Sequence, residues 1–148
     1  MYTATMSFQL KWVPHGSDEY GGAVQLRREI LRLPLGLDFT DEELAAEWDQ
    51  HHLVALLKGE VVACLALAHL EAAFKMRQVA VATEWQGLGF GRELVVESER
   101  FARDRGVERM VLHARAHVVA FYERLGYQVQ GEEFMEVGIP HWSMHKSL

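Results

Sequence analysis

The sequence has one cysteine, Cys64, and three prolines among 148 residues, and nowhere runs through the ~18 consecutive apolar residues of a membrane helix. A lone cysteine rules out an internal disulfide. Its setting in VVACLAL reads as a buried small hydrophobe rather than a nucleophile. The opening MYTATMSFQLKW lacks the basic-then-apolar layout of a secretion signal, so the expected location is cytoplasmic, with no membrane partner. Basic residues are also short: 15 Lys and Arg against 21 Asp and Glu give a formal charge of −6. That balance argues against a nucleic-acid surface, which needs a concentrated basic face, and suits a cationic partner instead. The eight histidines include no His-Glu-x-x-His and have no cysteine partners. The pairs His113/His117 and His141/His145 straddle strand or loop segments, where i, i+4 spacing does not align two rings, so no metal is expected. There is no Gly-x-Ser-x-Gly and no cysteine-based triad. What the chain does hold is 49% hydrophobic and 24% charged residues, the composition of an ordinary globular protein, in a length that fits a single domain over 1–148.

Strand and helix patterns alternate along the whole chain. Residues 7–13 read as a strand, with Pro14-His15-Gly16-Ser17 as the break after it. Across 18–33, Ala23, Leu26, Ile30 and Leu33 line one helical face, and Pro34 is the expected stop. Thr40 and Glu43 form a capping-box pattern that opens a helix through Trp48. Strands at 52–57 and 60–69 meet at Lys58-Gly59, and their unbroken Leu, Val and Ala content implies cover on both faces. A fourth strand spans 77–82. After Gly91, Leu94, Val95, Ser98, Phe101 and Ala102 make an amphipathic helix that ends at Gly106. Strand 110–114, a short helix over 117–125, strand 127–130 and an extended segment over 135–145 complete the pattern. The order β-α-α-β-β-β-α-β-α-β-β predicts an α/β fold with a mixed sheet and helices on both faces.

The stretch QGLGFGRELV carries glycines at 87, 89 and 91 between a strand and a helix. A dinucleotide fingerprint needs a third glycine where Arg92 stands, and a P-loop needs a following Lys-Ser/Thr; neither is present. The remaining reading is an anion cradle: free backbone N–H groups at a helix N-terminus, approached closely because glycine lacks a side chain. The same glycines would also serve a sharp strand-to-helix turn.

Gln86-Gly87-Leu88-Gly89-Phe90-Gly91 matches Q/R-x-x-G-x-G/A and directly follows the strand Val79-Ala80-Val81. AFYERLGY lies about thirty residues further on. Together these resemble the two signatures of the GCN5-related N-acetyltransferase (GNAT) superfamily, and the GIPH ending resembles its small bacterial ElaA-like branch. The resemblance implies a GNAT-type splayed sheet, acetyl-CoA as co-substrate and acetyl transfer to a small-molecule or peptide amine. A homodimer is a possible assembly. By the same resemblance, Val79, Ala80 and Val81 pair with the pantetheine arm. Gln86 to Gly91 wrap the pyrophosphate, Arg92 adds charge near it, and Tyr122 protonates the departing thiolate.

Where many members have an asparagine on the cofactor arm, seven residues before the tyrosine, this chain has Arg115. His117 stands near enough in sequence to take over a polar contact or to cap the helix. An amine must be neutral to attack, so a base is needed, and histidine has the suitable pKa. The candidates are His113 and His141, with Glu71 as a carboxylate alternative; Arg77 is a candidate for binding a substrate carboxylate. The expected function is an acetyl-CoA-dependent N-acetyltransferase working by direct transfer in a ternary complex. The alternative is a non-catalytic acyl-CoA sensor.

Overall fold

The structure is a computed structural model describing residues 8–148; Ser7, the first residue of the expected opening strand, lies outside them. These residues form one seven-stranded sheet in the order β1-β2-β3-β4-β5-β7-β6. Its strands are β1 (Gln9–Val13), β2 (His51–Leu57), β3 (Glu60–Leu70), β4 (Ala73–Val81), β5 (Arg109–Arg115), β6 (Gln128–Glu136) and β7 (Ile139–Ser147). All neighbours pair antiparallel except β4 and β5.

Hairpin chemistry explains much of this order. Lys58 and Gly59 both take positive φ, 51° and 80°, the handedness that matches the twist of β2 and β3. Val137 (φ 46°) and Gly138 (φ 77°) repeat the device between β6 and β7. β6 therefore runs on to Glu136, and the polar Gly131-Glu132-Glu133 is a register slip between Gln130 and Phe134 rather than the end of a strand. Likewise β4 begins at Ala73, not at residue 77.

Two helices cover opposite faces. α1 (Asp18–Arg27) is capped by the Ser17 hydroxyl and buries Ala23, Val24 and Leu26 against Val54, Cys64 and Ala80. Its path continues as a π-helical turn over Arg28–Arg32 and a 3₁₀ turn over Leu33–Leu35 that contains Pro34, so the regular helix stops six residues before the expected end. The Thr40–Glu43 capping box is present and opens α2, but α2 spans only Asp41–Ala45. α3 (Phe90–Asp104) packs Leu94, Val95, Phe101 and Ala102 on the other face, against Leu53, Leu65 and Phe74. α4 (Val119–Arg124) follows a 3₁₀ turn over Ala116–Val118.

Two features of β4 shape the site. The parallel β4–β5 seam pairs only Phe74 with Met110, Lys75 with Val111 and Met76 with Leu112; beyond Met76 the strands part. On its other edge β4 pairs Arg77 with Ala66 and Ala80 with Cys64, which leaves an extra residue between them, and Gln78 there has φ 56°. Because side chains alternate along a strand, one extra residue switches faces. Phe74 and Met76 point to the α3 core before the bulge, and Val79 and Val81 do so after it.

Candidate functional site

Where β4 and β5 part, a cleft of about 680 Å³ opens, within the usual size of a small-molecule site. One end is the glycine loop. Gly87 and Gly89 have φ of 77° and 93°, left-handed angles that side-chain-bearing residues avoid, and a Cβ at either would meet nothing within 4 Å. Their roles there are conformational, and the space beside them is open. Gly89 is the N-cap of α3 and offers no side-chain cap, so among the described residues the first-turn amides of that helix are left unpaired at the cleft, an arrangement that favours an anion. Gly91 differs: it lies inside the helix, and a Cβ there would sit 3.3 Å from the Phe121 ring. The Gln86 side-chain amide donates to the Val81 carbonyl at 3.0 Å, tying the loop to the end of β4. Phe90 is buried against Phe8 and Trp85, which anchors the start of the helix. Arg92 lines the cleft from the first turn of α3. Of the expected loop residues, Leu88 alone does not line the cleft; it is 45% exposed.

Val79, Ala80 and Val81 line one wall, and β5 has left them without a strand partner on that side. His117, Phe121 and Tyr122 come from the opposite wall. Tyr122 is 6% exposed, and its hydroxyl has no hydrogen-bond partner among the described residues. Burial pushes its pKa up, so the phenol stays protonated at neutral pH. Cys64, by contrast, faces α1 with its thiol pushed up to about 12 by burial, and it does not line the cleft.

At the other end the strand registers gather a polar face. Leu112 and Ala114 point to the α3 core, so the alternate residues His113 and Arg115 point away from it; antiparallel pairing sets Ser143 beside His113 and His141 beside Arg115. The β6–β7 hairpin then folds Glu136 over this face. Its carboxylate accepts from His113 Nδ1 at 2.9 Å and lies 3.5 Å from His141 Nε2. Burial works to raise the Glu136 pKa, but the His113 hydrogen bond and the charges of His113, His141 and Lys75 outweigh it and hold the group below the usual carboxylate range. His141 is 4% exposed, with its Nδ1 2.9 Å from the Ile139 carbonyl. The structure thus joins the two histidines singled out in the sequence through a carboxylate that was not. Glu71 falls in the β3–β4 turn and does not line the cleft.

Arg77 does line it, but its guanidinium is engaged, donating to Gln50 Oε1 at 2.9 Å and standing 3.6 Å from Glu47. Arg115 reaches across to donate to the Leu31 carbonyl at 2.8 Å, fastening the π-helical turn over the cleft. Arg32 and Lys75 complete the basic lining. Among the described residues Glu136 is the single carboxylate in the cleft wall, so the local field opposes the net charge of the chain.

Residues 37–148 match the family model described as the acetyltransferase (GNAT) domain. A candidate acetyltransferase of Bacillus subtilis (strain 168) is 29% identical over 113 residues, 76% of this chain and 76% of its own. An acyl-CoA N-acyltransferase from Pseudomonas aeruginosa shares the fold with a TM-score of 0.82 and 25% identity, covering 95% of this chain and 99% of that one. Escherichia coli ElaA does so with a TM-score of 0.81 and 19% identity, covering 95% and 99%.

Proposed function

The chain belongs to the acetyltransferase (GNAT) family, whose co-substrate is acetyl-CoA, and from that premise we propose that it acetylates a primary amine by direct attack within a ternary complex. The observation that carries this reading is the three-pair seam. A strand pair that closes and then opens leaves a slot with unpaired β4 backbone on one side, an anion cradle at one end and Tyr122 beside it. An extended pantetheine arm fits such a slot as an added strand through Val79 and Val81. The pyrophosphate fits the amides of residues 87–92.

The acceptor amine enters from the polar face. A carboxylate accepts only from a hydrogen-bearing nitrogen, so the Glu136 contact fixes the proton of neutral His113 on Nδ1 and leaves Nε2 with a free lone pair. His113 is then the general base and Glu136 the group that orients it, the logic of an oriented base generally. His141 is buried on the far side of the same carboxylate, its Nε2 3.5 Å away. Once the amine is neutral it attacks the thioester carbonyl, the carbon–sulfur bond breaks, and the Tyr122 hydroxyl supplies the proton the sulfur takes up.

Two results check the parts. Gly89→Val forces a β-branched residue into a left-handed conformation. Calorimetry should show acetyl-CoA bound at least about tenfold more weakly by a protein that still melts cooperatively; parent-like affinity would remove the loop from the site. Glu136→Gln keeps the shape but loses the charge-assisted hydrogen bond, so kcat/KM should fall about tenfold to a hundredfold with acetyl-CoA affinity unchanged. A variant as fast as the parent would assign the base elsewhere.

The test of the whole reading is a screen of amines for free-thiol release, with the product's new amide identified by mass spectrometry. Initial-rate lines that intersect support a ternary complex; parallel lines would require a covalent enzyme intermediate. Tight acetyl-CoA binding with no amine consumed would leave the sensor reading in its place.

A further inference from the structure

Resting on the N-acetyltransferase reading, we infer that the acceptor carries an anionic group, a carboxylate or a phosphate, beside its amine. The basis is an imbalance of charge at the acceptor end of the cleft. Arg32, Lys75, Arg77 and Arg115 line it, against the single carboxylate of Glu136. That carboxylate is already shared by His113 and His141. Arg77 is matched by Gln50 and Glu47, which leaves three cations with no anion of their own among the described residues.

Their individual settings agree. Lys75 is partly buried on the polar face of β4 and has no hydrogen-bond or ion-pair partner among the described residues; burial first, and then the charge of Arg77, press its pKa down despite Glu136. Arg115 spends one N–H on the Leu31 carbonyl and has no acidic partner within ion-pair distance among the described residues. Burial, then the neighbouring charge of Arg32, work against its charged form. Arg32 rests on the Phe39 ring, its guanidinium carbon 4.6 Å from the centroid, again without a carboxylate among the described residues. Elsewhere the chain pairs its arginines freely, as Arg28 with Asp38 and Arg100 with Glu97 and Asp104. Half-buried cations that repel one another across a cleft are a standing cost, relieved when an anion enters. Arginine further offers a fork that matches the two oxygens of a carboxylate or phosphate. The ammonium of such an acceptor would meet Glu136 and His113 while its anionic group met Lys75, Arg32 and Arg115. This replaces the cationic acceptor suggested by the net charge, which counts surface residues that never see the substrate.

The experiment compares matched amines on the full-length protein by thiol release. Amino acids are set against their amides, aminoalkyl phosphates against the parent amino alcohols, and a diamine series stands as the cationic control. The expected result is that at least one anionic acceptor exceeds its neutral partner about tenfold or more in kcat/KM, an advantage that shrinks with added salt. Which of the two series responds assigns carboxylate or phosphate. For the acceptor that responds, Lys75→Gln and Arg32→Gln should each raise KM about tenfold and leave acetyl-CoA affinity unchanged, so that the preference over the neutral partner falls by a similar factor. Two variants guard against one that folds poorly. Brisk turnover of neutral amines or diamines with no anionic preference would overturn the inference and leave the acetyltransferase standing. Absence of thiol release from every amine would count against the acetyltransferase reading and this inference together, whereas anionic preference in the parent that survives both substitutions would move the anion site away from these residues.

Discussion

Tyr122→Phe should turn over acetyl-CoA and amine about 10² to 10⁴ times more slowly than the parent while binding acetyl-CoA nearly as well. The substitution removes one oxygen from a side chain that is 6% exposed, so packing against Phe121 and Tyr127 is retained. The argument is differential binding. The thioester sulfur of the ground state needs no proton, whereas the departing thiolate does, so the hydroxyl acts in the transition state alone. Burial keeps the phenol protonated, and the hydroxyl has no partner among the described residues that would compete for the proton. Kinetics at saturating acetyl-CoA, with affinity measured on the same variant, check the claim. Full turnover would exclude the role; a loss confined to affinity would make Tyr122 a binding residue.

Glu47→Gln should cost about 3–5 kcal/mol of stability, because it leaves a buried cation without its counter-charge. Arg27 and Glu47 are 2% and 3% exposed and meet through two hydrogen bonds of 2.8 and 2.7 Å, with Tyr20 donating a third to Glu47 at 2.7 Å. Arg27 Nε is buried with no partner among the described residues, so the guanidinium depends on this carboxylate and on the Phe39 ring 4.7 Å away. At this chain length the loss corresponds to roughly 6–20 °C in Tm. The pH dependence has a definite sign. Burial raises the Glu47 pKa, but the bond and charge of Arg27 prevail and hold it below the ordinary value. The folded state therefore binds this proton more weakly than the unfolded chain. Its contribution is whole above the unfolded carboxylate range and is lost as pH falls through the depressed folded value. Thermal melts of parent and variant should differ widely at neutral pH and converge in acid. An equal Tm at pH 7 would show that the cluster is dispensable. Because Arg77 also stands 3.6 Å from Glu47, this pair ties α1 and the turn after α2 to β4 just before its bulge, where the acceptor wall begins.

Local chemistry made parts of this legible in the sequence. The capping box at Thr40, the positive-φ turn at Lys58-Gly59, the amphipathic face of α3 and the glycine loop each depend on a few neighbouring residues, and each stands where those residues put it. The failures share a cause. The β3–β4 turn uses Ala72 at φ 59°, with no glycine, proline or asparagine to announce it, so the sequence pattern places the start of β4 four residues late. The polar run at 131–133 resembled a loop but is a bulge, because β7 supplies pairing on both sides of it. Glu136 is hidden for another reason: the sequence pattern predicts one extended segment over 135–145, whereas a turn at Val137-Gly138 splits it, and only that hairpin folds Glu136 back onto His113 and His141. One sequence signal was available. Lys75 with Arg77, and His113 with Arg115, are polar at alternate positions in otherwise apolar strands, the mark of a face turned toward something wet.

The seam between β4 and β5 has a consequence for the free protein as well. Strands β1 to β4 form one antiparallel block and β5 to β7 another; the sheet joins them through three parallel pairs alone. A ligand lying in the slot would act as an eighth strand, adding pairing where β5 supplies none and bracing the two blocks from within. Occupancy would then be read in the melting curve, since a ligand at a hundredfold its Kd adds about 2.7 kcal/mol. Before any chemistry, the co-substrate would finish the fold.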